Sequence, residues 1–378
     1  GPGIFGAQFY GAKNWDGVRS TFRFKLLSIA VVLTATIAIF ITFGDTLISL
    51  YLTGEGDATA AARMFVYGRE YLNVMLLGLL PFAISQAYSS TLREAGETVL
   101  PMKASIAAVF TNLVLNYILI FGKFGFPAYG VVGAAVATVI SRYMELTIIL
   151  IYTHKHSARF PFVVGLYRTM KVPVNLTVLI LKKGFPLMIN ELLWSIGVTK
   201  ITQIFSTCGL NVIAALNISS TVTNLFNVIF VSMGTAVAVM VGQALGAGDI
   251  EEAKSHAWKL IFFSVCTCFV IGGALVISSP FIPMIYKTTE DVMKLATHFM
   301  MTSAAIMAFH SIAHCCYFAI RSGGKTIITF FFDSAYLWVF GIPFTYVITH
   351  FTNLDIYAIY PLSFIPDVIK SVIGIVIL

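Results

Sequence analysis

Glu191 stands alone as an acid in a long apolar stretch, about eight positions beyond Lys182 and Lys183. In a helix rising about 1.5 Å per residue, that places it roughly 12 Å past the lysines. In lipid an isolated carboxylate is costly as an anion, so it is inclined to take up a proton or a bound cation, which is the chemistry of ion exchange. Its bland alternative is a protonated carboxyl hydrogen-bonded inside a helix bundle. Asp333 enters a later apolar stretch to a similar depth. It offers a second contact for a cationic substrate or a proton, with a structural salt bridge as its alternative. Asn112 and Asn116 are four residues apart and share one helical face. Their amides suit Na⁺ or a proton-bearing network, or plain bonding between helices; neither titrates.

Other polar residues call for less. Arg142 and Glu145 are three apart, as are Asp367 and Lys370, and this spacing suits pairing along one helix. The stretch from Asn217 to Asn227 is rich in Ser, Thr and Asn, which in lipid must face protein or water. Asn190, Asn217, Asn224 and Asp333 are accordingly the expected lining of a substrate cavity. His310 and His314 have the i, i+4 spacing of a helical metal site, but no Glu follows His310 in the zinc-protease pattern and Cys315 and Cys316 point elsewhere. No resident metal or cofactor is expected. The five cysteines give no disulfide framework.

The elements that must position these residues are membrane spans. The chain is 58% hydrophobic and 11% charged with a mean hydropathy of +0.88, where soluble domains are about a quarter charged. The net charge of +7 falls in short clusters between apolar runs and not in a stripe, so no nucleic-acid partner is expected. Spans of about 20 residues are predicted over 25–43, 67–92, 99–121, 129–152, 184–206, 212–245, 258–286, 297–320, 327–349 and 357–378, after a stub at 1–10. Basic residues crowd alternate loops, from Lys13, Arg19 and Arg93 to Lys182, Arg321 and Lys325, which marks that side as cytoplasmic.

The chain also repeats itself. Gly6-Ala7-Gln8-Phe9-Tyr10-Gly11-Ala12-Lys13-Asn14 returns as Val241-Gly242-Gln243-Ala244-Leu245-Gly246-Ala247-Gly248-Asp249, and Arg93-Glu94-Ala95-Gly96-Glu97-Thr98 as Arg321-Ser322-Gly323-Gly324-Lys325-Thr326. Two echoes at nearly one spacing indicate a duplication. The expected fold is all-α: a polytopic membrane protein of two parallel six-helix bundles, here shortened at its start to about ten full helices plus the stub. The predicted domains are an N-terminal bundle at 1–153, a cytoplasmic connector at 154–183 and a C-terminal bundle at 184–378.

The run from Asn112-Leu113-Val114-Leu115-Asn116 to Gly122, with Gly125-Phe126-Pro127 and Gly133-Ala134-Ala135-Val136-Ala137-Thr138, resembles the multidrug and toxic compound extrusion (MATE) family. The resemblance continues through Ala214 to Ile218, Gly242 to Gly248, and Asp333 with Trp338 and Pro343. It implies twelve helices in two bundles that open alternately, and no enzymatic activity. By it, Glu191 matches a cation-coupling carboxylate of the second half. Asn112 matches an Asn of a first-half cation site, Asn116 stands where many members have Asp, and Thr138 lies close to the Thr of that site. The function implied is Na⁺- or H⁺-coupled antiport exporting amphipathic, often cationic drugs and xenobiotics across the cytoplasmic membrane, with the protein acting as a monomer. A lipid-linked flippase of the same superfamily and an intramembrane metalloenzyme on His310 and His314 are the alternatives.

Overall fold

A computed structural model describes residues 1–52 and 58–378. Among the described residues there is no strand. The long helices are α1 (Pro2–Gly11), α2 (Trp15–Leu52), α3 (Ala58–Glu94), α4 (Val99–Phe121), α5 (Gly130–Lys155), α6 (Val174–Ser206), α7 (Leu210–Ala247), α8 (Ile250–Ser278), α9 (Glu290–Ser322), α10 (Thr326–His350) and α11 (Ile356–Ile377). Helix is what an apolar chain must form in lipid, because it satisfies every backbone donor and acceptor within one segment. Nine of these, among the described residues, are long and apolar enough to cross a bilayer. The 10-residue α1 is too short for that, and α6 carries Lys182, Lys183, Glu191 and Lys200 along its length.

The predicted span 99–121 coincides with α4. Others run on into water: α2 has 38 residues, about 57 Å of helix, against about 30 Å of hydrocarbon. Helix α6 starts at Val174, so the expected connector is shorter than 154–183. Two tight turns, Pro161–Val163 and Leu166–Arg168, occupy what remains.

The chain divides into two compact units. One holds residue 2 and residues 14–177; the other holds residue 1, residues 3–13 and residues 178–378. In the first, the connector is packed down on its own helices. Phe162 and Leu166 are buried, Phe162 meets Phe22 edge-on, and Arg23 donates from Nε and Nη2 to the Leu166 and Gly165 carbonyls at 2.9 and 2.7 Å. Close by in sequence, Lys25 is buried against Glu94 at 2.7 Å and also donates to Ser90 and Thr91.

In the second unit the repeated motif has a plain physical reason. A Cβ on Gly11 would fall on the Gln243 carbonyl, and one on Gly246 on the Gln8 carbonyl. The two copies cross backbone to backbone, each glycine seated on the other copy's glutamine. This crossing is why residues 3–13, assigned by sequence to the first half, cluster with the second. The motif's last two positions make a turn in both copies. Gly248 ends α7 with φ of 84° and Asp249 caps α8, accepting from the Glu252 N–H at 2.8 Å. In the first copy Lys13 takes φ of 54° and Asn14 accepts from the Gly17 N–H at 2.9 Å.

Helix α10 is not regular. It widens to π turns at Phe331–Ala335 and Leu337–Gly341 before Ile342–His350. Pro343, which has no N–H to give the preceding turn, accounts for part of this. Helix α11 breaks between Leu362 and Ile365, between Pro361 and Pro366.

Candidate functional site

The polar residues of the second unit form one connected chain across α6, α9, α10 and α11. Lys370 Nζ donates to Asp333 Oδ1 at 2.5 Å, and both side chains are largely buried, at 14% and 15% exposure. Asp333 Oδ2 accepts from Asn190 Nδ2 at 2.9 Å. The same amide lies 3.3 Å from the Tyr317 hydroxyl, which donates to Glu191 Oε1 at 3.2 Å. Arg321 closes the chain, 3.6 Å from Glu191 Oε1 and 3.5 Å from the Tyr317 hydroxyl.

Local backbone explains how Asp333 is held. It lies in the first π turn, where Ser334 donates its N–H to Asn190 Oδ1 at 3.2 Å and its hydroxyl to the Asn190 carbonyl at 2.7 Å. One buried Asn thus fixes α6 to the widened turn of α10. Further along the same helix, Trp338 donates its indole N–H to the Leu193 carbonyl at 3.0 Å.

Several expectations change. Glu191 is not a lone buried carboxylate: its side chain is 61% exposed and has Arg321 as counter-ion. Arg321, expected in a cytoplasmic loop, lies in the last turn of α9 and turns back towards Glu191 because four residues separate it from Tyr317 on one face. Lys370 does not pair along its helix with Asp367 but across to α10 with Asp333, while Asp367 Oδ2 lies 3.4 Å from His310 Nε2. Asn190 and Asp333 form this tie, and neither is on the wall of the cavity bordered by Trp194, Asn217 and Tyr360. Asn217 does border a cavity, and Asn224 is exposed on α7. His310 and His314 do not converge: His314 packs against Phe230 and Phe318, and no group of three or more metal-ligating residues occurs among the described residues. Sequence reasoning misses Tyr317 and Arg321 as site residues. The signal for them is their four-residue spacing, one helical turn leading into the repeated Arg motif.

The first unit brings its predicted trio together without charge. Asn116 Nδ2 donates to Asn112 Oδ1 at 2.9 Å, Asn112 Nδ2 to Thr138 Oγ1 at 3.3 Å, and Thr138 to the Ala134 carbonyl. The buried Asn116 Oδ1 has no protein partner, so an oxygen is free there for a hard cation such as Na⁺, although no carboxylate joins it. Nearby on the same helices, Arg142 and Glu145 pair as predicted at 3.5 Å. Glu145 also accepts from Ser105 at 2.7 Å, and Arg142 lies over the Phe82 ring.

The chain is similar to known proteins in sequence and in fold. Residues 2–118 and 186–347 match the family model described as MatE. The chain is 27% identical over 377 residues to the probable multidrug resistance protein YoeA of Bacillus subtilis, covering 96% of this chain and 78% of YoeA. It is 28% identical over 360 residues to the probable multidrug resistance protein NorM of Thermotoga maritima, covering 93% and 73%. Among solved structures, the outward-facing conformation of a multidrug resistance MATE family transporter of the MOP superfamily superposes with a TM-score of 0.84 at 20% identity, over 99% of this chain and 80% of that one. A MOP superfamily transporter from Pyrococcus furiosus gives 0.81 at 19% identity, over 99% and 81%.

Proposed function

The chain belongs to the MatE family, and from that footing we propose that it is an antiporter that exports amphipathic, often cationic small molecules in exchange for Na⁺ or H⁺. It is a multi-pass protein of the cell membrane and a transporter, not an enzyme. The relatives named for multidrug resistance support export of drugs and xenobiotics. The observation that carries cation coupling is the chain Lys370–Asp333–Asn190–Tyr317–Glu191–Arg321, in which each acid is balanced by a base.

Of its two ion pairs, Lys370–Asp333 is short and buried, and Arg321–Glu191 is long and open on the acid's side. A cation arriving at Glu191 displaces only a guanidinium at 3.6 Å. The proton or Na⁺ then needs to bind one conformation of the alternating-access cycle better than the other, and the difference in affinity drives drug release outside. Asn112, Asn116 and Thr138 serve as an auxiliary Na⁺ site with no charge of their own.

The test is export from vesicles on which Na⁺ and pH gradients are imposed separately. One of the two gradients should accelerate export of a cationic dye, and Glu191→Gln should remove that acceleration in a folded protein. Export indifferent to both gradients would defeat the antiport reading.

A further inference from the structure

Between Glu145 and Glu191 the sequence holds six basic residues and no acid. Four of the six, Lys155, Arg159, Arg168 and Lys171, lie at the end of α5 or in the connector after it. This connector does not hang in water. Phe160, Phe162, Val163 and Leu166 are buried, and Phe162 meets Phe22 of α2 with ring centroids 6.3 Å apart. Arg19 donates from Nη2 to the Pro161 carbonyl at 3.3 Å, beside the two bonds from Arg23 to Gly165 and Leu166. Arg159 pairs with the buried Glu97 at 2.5 Å, and the Tyr167 hydroxyl bonds that of Tyr88 on α3.

The outer side of the same stretch mixes apolar and basic groups. Val164, Tyr167 and Met170 are exposed, and so are Lys155, Arg168 and Lys171. Single exposed apolar residues are ordinary, so depth and charge decide what covers these. The uncharged run of α2 extends from Leu26 to Gly44. Phe22 stands four residues before it, about 6 Å along the helix axis. The headgroup layer on each side of the hydrocarbon is about 5–7 Å thick. Phe162, packed on Phe22, therefore sets the connector at headgroup depth.

The charge there is positive. Arg159 is balanced by Glu97 and Arg19 by Asp16, whereas Arg23, Lys155, Arg168 and Lys171 make no ion pair among the described residues. A soluble anion would answer these charges but leave Val164, Tyr167 and Met170 in water. An anionic phospholipid answers both, its phosphate meeting the cations while the tyrosine ring and the two aliphatic side chains rest at the edge of the hydrocarbon.

We propose that the outer face of residues 155–171 is a docking surface for anionic phospholipid headgroups of the leaflet it adjoins. The surface is held in shape by the bonds from α2 and α3, so little order is lost when lipid binds. It needs only membrane residence, neither Glu191 nor an imposed gradient.

Photolabelling of the full chain in nanodiscs tests it, with a phosphatidylglycerol carrying a photoactivatable group near the headgroup, a phosphatidylcholine of the same design as its zwitterionic control, and cross-linked peptides mapped by mass spectrometry. Phosphatidylglycerol should label residues 155–171 at least about fivefold more than phosphatidylcholine, and labelling should fall severalfold between about 0.05 and 0.5 M salt. Arg168→Gln combined with Lys171→Gln should reduce the phosphatidylglycerol label about tenfold. Lys103→Gln combined with Lys259→Gln, which removes two exposed cations elsewhere, should leave it unchanged, as should Glu191→Gln. Equal labelling by the two lipids, an unaltered label in the Arg168 and Lys171 double variant, or an equal loss in the Lys103 and Lys259 variant would each overturn the proposal. Displacement of the label by millimolar inorganic phosphate would overturn it too, by making this a site for free anions. Should the double variant fail to fold, salt-insensitive labelling of the wild type overturns it as well.

Discussion

The two halves of the chain place an ion pair at equivalent positions and build it differently. Arg142 and Lys370 are separated by the same 228 positions as Arg93 and Arg321, and so are Ser105 and Asp333. In the second half the acid sits on the neighbouring helix, and the pair bridges α10 and α11 at 2.5 Å, largely buried. In the first half that position is Ser105, and the acid has moved to Glu145, one turn along the same helix as the base. The result is a 3.5 Å pair whose arginine is 39% exposed. One charge inventory therefore gives an interhelical clamp in one unit and a local pair in the other. In the second unit the acids are linked through Tyr317 and Asn190, whereas in the first the cluster of Asn112, Asn116 and Thr138 holds no ionisable group.

The sharpest way to break this comparison is to remove the acid from each half. Asp333→Leu strands Lys370 inside the protein and should cost about 3–5 kcal/mol, while Glu145→Gln, whose amide can keep the Ser105 contact and whose arginine is 39% exposed, should cost less, about 1–2 kcal/mol. Thermal unfolding in detergent measures both; equal losses would mean the halves are not different in kind. Next in size is the motif crossing. Gly11→Ala and Gly246→Ala each push a methyl onto the other copy's carbonyl and should destabilise by about 1–3 kcal/mol. The two losses should match, since the contacts are reciprocal.

A transplant sharpens the comparison further. Ile373 occupies the position equivalent to Glu145. Combining Asp333→Ser with Ile373→Glu copies the first half's arrangement and should recover about 1–2 kcal/mol of what Asp333→Ser loses, by giving Lys370 a partner one turn away. Smallest is the turn after the motif. Lys13 holds φ of 54° where the second copy has Gly248, so Lys13→Gly should stabilise by about 1 kcal/mol, a shift readable in the same melting curves.

The duplication, the helical class and most of the spans are legible in the sequence because lipid imposes long apolar runs and loop charges report the sides. The expected span 99–121 coincides with α4, which Gly122 ends with φ of 66°. The partners are not legible. Three-residue spacing points Lys370 to Asp367, yet a neighbouring helix offers Asp333, and no local rule ranks a partner from another span. The tie made by Asn190 is hidden as well, because sequence cannot show the widened turn of α10 whose Ser334 N–H it accepts. The repeat puts Arg321 in a loop, so Glu191 looks unpaired.

The central claim is that ion exchange resides in the second unit. Gradient-driven export of a cationic dye by Glu191→Gln, set beside export by Asn116→Leu in the same vesicles, tests it most directly. The account predicts that Glu191→Gln loses its response to the gradient while Asn116→Leu keeps it; a coupled Glu191→Gln protein beside an uncoupled Asn116→Leu protein would contradict it.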